Sequence, residues 1–241
     1  YLIGIDAGTQ GVRTIVFGRD GQLVTGAYKT YSFDYPKPNW VEQTAEDWWI
    51  ATLSTIREVM EKGTISPRDV AGISVTSQAN TFVLVDKEGK ALRPAISWMD
   101  QRAIAQAKWL NDKFSPDIIY QITGSPLSPF FDVPKILWLK ENERSIFEKA
   151  FRFLQVKDYI IHGLTNVFAT DFSLVSLCMF LDIHRKKWAD EILESIGLSP
   201  DRLPEIYPST TIIGEVTEEA AKSTGLKKGT PVIVGGLDQC C

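Results

Sequence analysis

Cysteine is scarce in this chain. There are three among 241 residues, Cys178 and the adjacent Cys240 and Cys241. An odd count without framework spacing excludes a disulfide-stapled secreted scaffold and fits a reducing compartment, so a cytoplasmic location is expected. Histidine is scarcer still, with only His162 and His184, which leaves almost nothing for a His/Cys metal centre. No apolar run approaches the roughly 18–20 residues of a membrane-spanning helix. The opening Tyr1-Leu2-Ile3-Gly4-Ile5 shows neither a basic nor a long apolar leader segment. No membrane partner is therefore expected. Basic clusters are also missing: Arg185-Lys186-Lys187 and Lys227-Lys228 are the longest runs, and the formal net charge is −4. That balance argues against nucleic acid as a partner.

What the chain does have is ordinary globular material. With 44% apolar residues over 241 positions, it is long enough for one large domain or two small ones without a structural metal. Residues 1–6 form a short apolar run ending at Asp6, punctuated by Ala7-Gly8-Thr9-Gln10-Gly11. Val12–Phe17 and Gln22–Tyr31 follow, separated by the turn signal Asp20-Gly21, which predicts an antiparallel meander. Thr44 to Asp47 has capping-box spacing, and Trp49, Leu53, Ile56 and Met60 repeat at helical period, predicting a helix that buries that face. Val70–Val75 reads as a central strand. Phe82–Val85 and Ala91–Ile96 read as a hairpin around Asp86-Lys87-Glu88-Gly89. The middle reads as helical, with Ala103, Ala107, Leu110 and Phe114 on one face, Pro134 at a helix start, and short helices over Lys157–Leu164 and Trp188–Ile196. Pro231–Val234 is a last strand running into Gly235-Gly236-Leu237-Asp238. A buried strand followed by a glycine turn is an odd stopping point; it implies either a domain cut from a longer chain or an unusually exposed strand edge.

Several polar residues sit at strand ends. A strand that delivers Asp6 to a glycine turn, with Arg13 just beyond, sets amide donors, a hydroxyl and a carboxylate side by side. Amides and an arginine suit phosphate oxygens, and a carboxylate suits Mg²⁺. The alternative is an Asx-type turn in which Gly8 and Gly11 serve backbone freedom alone. Asp238, after a strand and two glycines, is placed to act as a general base or simply to satisfy its own turn. Ser77-Gln78-Ala79-Asn80 and Trp98-Met99-Asp100-Gln101-Arg102 offer the amides, acid and indole that a polyhydroxylated ligand requires. Asp100 could equally cap a helix near Arg102, and Trp98 could be core. Trp40, Trp48 and Trp49 are assigned to packing.

Together these segments resemble the N-terminal half of the FGGY family of carbohydrate kinases, within the actin-like ATPase superfamily. Leu2 to Thr9 resembles the family's opening phosphate loop. Asn39-Trp40-Val41-Glu42-Gln43 with Glu46-Asp47-Trp48-Trp49 is similar to its second signature. Pro94 to Arg102 looks like its sugar-pocket strand and turn, and Gly229 to Gln239 like the segment carrying its catalytic base. The resemblance implies an α/β, ribonuclease-H-like domain over residues 1–241, with a central mixed β-sheet flanked by helices, and an ATP-binding C-terminal domain outside this chain. It further implies that Asp238 accepts a proton from a sugar hydroxyl. Asp6 would work near Mg²⁺, Gly8, Thr9, Gln10 and Arg13 would face the phosphate of ATP, and Gln78, Ala79, Asn80, Trp98 and Asp100 would line the sugar. The expected partners are ATP and a small sugar or polyol, with a homodimer left open.

The run of motifs looks nearest to the xylulose-kinase branch. Xylulose kinases usually carry Met-His where this chain has Ala79-Asn80, and the Arg-Glu pair of glycerol kinases is absent. Gluconate, other ketoses, glycerol and other polyols therefore stay open. Two rival readings are a ribonuclease-H-type nuclease, which would need more carboxylates around Asp6, and a non-catalytic sugar-binding module, in which Asp238 would lie away from Asp6.

Overall fold

The computed structural model describes residues 1–241. The expected meander forms as β1 (Leu2–Ala7), β2 (Gly11–Phe17) and β3 (Leu23–Thr30), each antiparallel to the last. Gly21 takes a φ of +80°, as the Asp20-Gly21 turn requires. Side chains alternate along these strands. Ile3, Ile5, Ala7, Val12 and Val16 enter the core, whereas Gly4, Asp6 and Arg13 face the other side.

After the short strand β4 (Glu42–Gln43), helix α1 (Ala45–Lys62) covers the inward face of the meander. Two details differ from the expectation. The Thr44 side chain makes no capping bond; its carbonyl accepts the Asp47 amide at 3.1 Å, and Glu46 and Asp47 serve the helix dipole instead. The buried face is also rotated by about one residue. Trp48, Thr52, Thr55, Ile56 and Val59 face inward, and Trp49 and Leu53 are only half-buried. An apolar count misses this because two threonines belong to the core. Thr52 Oγ1 donates to the Trp48 carbonyl at 2.7 Å, and Thr55 Oγ1 meets Thr14 Oγ1 at 2.7 Å, so both hydroxyls are satisfied without water.

Strand β5 (Gly72–Ser77) then inserts parallel to β1, register Leu2 with Gly72 through Ala7 with Ser77. The strand Pro231–Ile233 pairs parallel to the other side of β5, and Ile212–Glu215 closes the edge antiparallel. The six-stranded sheet is therefore mixed, with three parallel strands at its centre and antiparallel strands outside, as the ribonuclease-H-like expectation required. Parallel strands end on the same side, so the segments after Ala7, Ser77 and Ile233 emerge together. In open α/β sheets, ligands bind at that carboxyl edge.

A second, four-stranded antiparallel sheet of β4, β7 (Ala95–Ile96), β6 (Phe82–Val85) and β8 (Arg152–Gln155) builds a second core. The β6–β7 connection turns where expected, with Gly89 at φ +79°, but the returning strand expected over Ala91–Ile96 is reduced to a bridge between Val85 and Ala91 and the two residues of β7. Helices α2 (Ile104–Phe114), α3 (Pro116–Thr123), α4 (Asp132–Asn142) and α5 (Arg144–Lys149) enclose this core, which includes Phe82, Leu110, Ile119, Ile136 and Phe153. Pro134 sits in the first turn of α4, where its missing N–H costs nothing. Helix α6 (Val156–Thr165) returns the chain to the first core, ahead of strand β9 (Ala169–Asp171). The helix expected from Trp188 begins at Asp190, because Trp188 is taken into a two-residue strand paired with Leu181.

The rotated α1 face is testable by equilibrium denaturation. Trp48 has no exposed surface, so Trp48→Ala should cost about 3–5 kcal/mol. Trp49→Ala, half-buried against Gly163, should cost clearly less. The reverse order would contradict the assignment.

Candidate active site

Asp6 lies on the outward face of β1, opposite Arg13 on β2 and Thr76 on β5. These three, with Ser74, Asp238 and Cys241, line a cleft of about 560 Å³. Burial raises the Asp6 pKa above the ordinary carboxylate value; the Asp238 carboxylate raises it further, and Arg13 opposes both. One Asp6 carboxylate oxygen is buried without any partner. Asp238 itself is exposed at the start of a short helical turn, where it accepts the Gln239 amide at 2.8 Å. It thus satisfies part of its turn while still facing Asp6 across the cleft.

The β1–β2 turn is tightly fixed. The Gly8 amide donates to the Gly11 carbonyl at 3.0 Å, and the Tyr31 hydroxyl donates to the Gly8 carbonyl. A Cβ on Gly11 would lie 2.5 Å from the Lys29 carbonyl oxygen, so no other residue fits there. Gln10 is exposed at the tip. Thr9 joins this turn to the second group of expected residues: its hydroxyl accepts the Trp98 indole N–H at 3.2 Å, and its carbonyl accepts Gln43 Nε2 at 3.1 Å.

That second group forms a wall beside the turn. Trp98 leaves 40% of its surface open. Gln78 is only 3% exposed, and its amide bonds to Gln43 Oε1 at 3.1 Å and to the Thr81 hydroxyl at 3.3 Å, so it braces the wall from behind. Ala79 and Asn80 are half-buried on the loop after β5. Asn80 holds a φ of +58°, and its side-chain oxygen is buried without a partner. Asparagine tolerates that backbone region better than most residues.

Asp100 is placed differently from the sugar-lining expectation. It has no exposed surface, and its oxygens accept the Val41 amide at 2.6 Å, the Arg102 amide at 2.9 Å and the Arg102 guanidinium at 2.8 Å. With both oxygens engaged, Asp100 closes a turn onto Arg102 and supports the backbone beneath Trp98; it does not cap α2, which begins at Ile104 without a side-chain cap.

Two supporting residues were not singled out from sequence. Arg102 stacks over Trp40 at 3.9 Å and pairs with Glu42 at 2.8 Å as well as Asp100. Lys135 is fully buried, and its ammonium donates to the carbonyls of Asn80 (3.2 Å), Ser97 (2.8 Å) and Phe130 (2.7 Å). It therefore ties the Asn80 loop to the residue before Trp98. Burial pulls its pKa down to about 8, opposed by Asp132 and Asp100. The Asn80 and Ser97 carbonyls bonded by Lys135, and the Glu42 and Trp40 partners of Arg102, are remote along the chain, so the sequence gives no sign that these charges are buried.

No group of three or more His, Cys, Asp or Glu residues is arranged to hold a metal ion, and no helix is long and apolar enough to cross a membrane.

The comparisons with known proteins agree with this architecture. The FGGY family of carbohydrate kinases, N-terminal domain, matches residues 1–241. The xylulose kinase of Bacillus subtilis (strain 168) is 35% identical over the whole chain, which covers 48% of that protein. The glycerol kinase of Thermococcus gammatolerans is 32% identical over 91% of the chain and 45% of its own length. The crystal structure of xylulose kinase from Rhodospirillum rubrum superposes with a TM-score of 0.94 at 26% identity, covering 98% of this chain and 49% of that one. The chain thus spans about half the length of the curated relatives it matches. Matched from end to end by the family's N-terminal domain and carrying that fold, the chain belongs to the FGGY family of carbohydrate kinases.

Proposed function

We propose that the protein carrying this chain transfers the γ-phosphoryl group of ATP to a hydroxyl of a ketose, with xylulose or a related pentulose as the substrate. The observation that carries the reading is the single cleft shared by Asp6, Arg13 and Asp238, next to a wall bearing an open indole. The non-catalytic alternative places Asp238 apart from Asp6, and it shares the cleft instead. The nuclease alternative asks for further carboxylates at Asp6, and only Asp238 joins it there. The xylulose assignment leans on the relatives: the Bacillus xylulose kinase aligns over the full chain and the Thermococcus glycerol kinase over less of it.

Phosphoryl transfer depends on positioning and charge neutralisation more than on covalent chemistry by the protein. In this reading the sugar lies against the open face of Trp98, beside the half-buried Ala79–Asn80 loop. Asp238 takes the proton from the attacking hydroxyl as the new P–O bond forms. Arg13, the Gly8–Gln10 amides and the Thr9 hydroxyl face the transferred phosphate. Mg²⁺ fits the same cleft: Asp6 has an unpartnered carboxylate oxygen, and one or two carboxylates are what this ion takes when phosphate supplies the rest. Asp6 would hold it, and the ion would neutralise phosphate charge.

Two outcomes test this reading in the whole protein. Asp238→Asn, nearly isosteric, should lower kcat about 10²–10⁴-fold with little change in KM for xylulose; ADP release measures it, and a variant that keeps most of its rate removes Asp238 from the role. Asp6→Asn should stabilise the metal-free fold. The folded Asp6 pKa is raised, so its ionisation destabilises the parent as pH rises above the ordinary carboxylate range of about 4. Thermal melts should show variant and parent alike at low pH and the variant more stable near neutrality. Equal melting at every pH would contradict the assigned environment of Asp6.

A further inference from the structure

We propose that Lys157, Asp171 and Ser173 are positioning residues for Asp238, holding the Val234–Leu237 segment that leads to it; this rests on the reading of Asp238 as the base. Lys157 and Asp171 have no exposed surface, and their charged atoms lie 3.1 Å apart. Burying such a pair is weak support for stability, since desolvation offsets the attraction. What distinguishes this pair is where its remaining bonds go.

Lys157 Nζ donates to the Val234 carbonyl at 3.2 Å. Asp171 Oδ2 accepts from the Ser173 amide (2.9 Å), the Ser173 hydroxyl (2.5 Å) and the Ser209 hydroxyl (2.8 Å). A serine hydroxyl has one proton. Because Ser173 gives it to Asp171, its lone pairs are left for the Leu237 amide, which donates to Ser173 Oγ at 2.9 Å. The Gly235 amide donates to the Ser209 carbonyl at 3.0 Å. One network, buried at Lys157 and Asp171 and half-buried at Ser173 and Ser209, therefore reaches both ends and the middle of the segment before Asp238.

On its other side the segment presses on β5. Gly235 sits at φ +67°, and a Cβ there would lie 1.9 Å from the Val75 carbonyl oxygen. Leu237 bridges to Ser77, whose hydroxyl accepts the Lys157 amide at 3.1 Å. The segment is thus clamped between the sheet and the network. Asp238's carboxylate accepts only the amide of its own neighbour, Gln239, so its reach depends on where Leu237 is held. Misplacing a catalytic group by about 1 Å can cost on the order of 10²-fold in rate.

Ser173→Ala is the informative variant, because it removes the Leu237 acceptor and leaves the Lys157–Asp171 pair intact; Lys157→Met risks the fold. In the whole protein with ATP and D-xylulose, kcat should fall about 10- to 100-fold with KM for both substrates nearly unchanged. Ser173→Thr, which keeps the hydroxyl, should restore most of the rate. On an Asp238→Asn background, Ser173→Ala should have no further effect, as two residues acting as one unit behave. Amide exchange at Leu237 should accelerate while β1 and β5 keep their protection, and this readout needs no substrate. A Ser173→Ala variant with the parent's rate, a loss that adds fully to that of Asp238→Asn, or unchanged Leu237 exchange would each overturn the proposal. If Asp238→Asn alone keeps its rate, the base reading itself falls and the positioning role with it, whatever the exchange data show.

Discussion

The insertion of Gly72–Ser77 between Leu2–Ala7 and Pro231–Ile233, parallel to both, is the constraint on which the site depends. Three strands remote in sequence end at one edge of the sheet, so the Gly8 turn, the Gln78–Asn80 loop and the Asp238 segment emerge as neighbours. Register matters as much as order. Ile3, Ile5 and Ala7 face the core, which forces Gly4 and Asp6 outward. A slip of one residue would bury the carboxylate and expose isoleucines. The hydrophobic pattern of β1 thereby decides that Asp6 faces Arg13 and Asp238 across the cleft.

Around this edge, charge has been moved inward to hold loops. Lys135 bonds three carbonyls, Arg102 lies between Asp100 and Trp40, and Lys157 joins Asp171 to Val234. Each ion is dehydrated, which costs free energy unless its bonds are all made. In exchange, loops that would otherwise move are fixed with respect to the two cores. Asp6 is not tied into these networks. One of its oxygens has no partner, and Asp238 repels it. An arrangement that is unfavourable for the protein alone is one that a bound cation would relieve.

Much of the frame was legible in the sequence for physical reasons. Alternation along Leu2–Phe17, the Asp20-Gly21 turn, the apolar run to Val75 and the strand before Gly235-Gly236 each carry a local signal, and local signals need no partner. Placing Asp6 and Asp238 at strand ends followed from the same patterns. The inward face of α1 lies about one residue away from its apolar pattern, because Thr52 and Thr55 are core residues whose hydroxyls find partners only in the fold. Neither role open to Asp100 in the sequence, sugar contact or helix cap, is the one it takes, because its bond to the Val41 amide joins positions remote in sequence. Lys135 and Lys157 carried no signal. Nothing in a single sequence separates a lysine that bonds distant carbonyls from one that is solvated.

The most direct measurement is the carboxylate titration of Asp6, followed by NMR in the metal-free protein and in its Asp238→Asn variant. The account predicts an Asp6 pKa above the ordinary aspartate value in the parent, falling toward it when the Asp238 charge is removed. An Asp6 titration that is unmoved by Asp238→Asn would show that the two carboxylates do not share a cleft, and would contradict the site proposed for this domain.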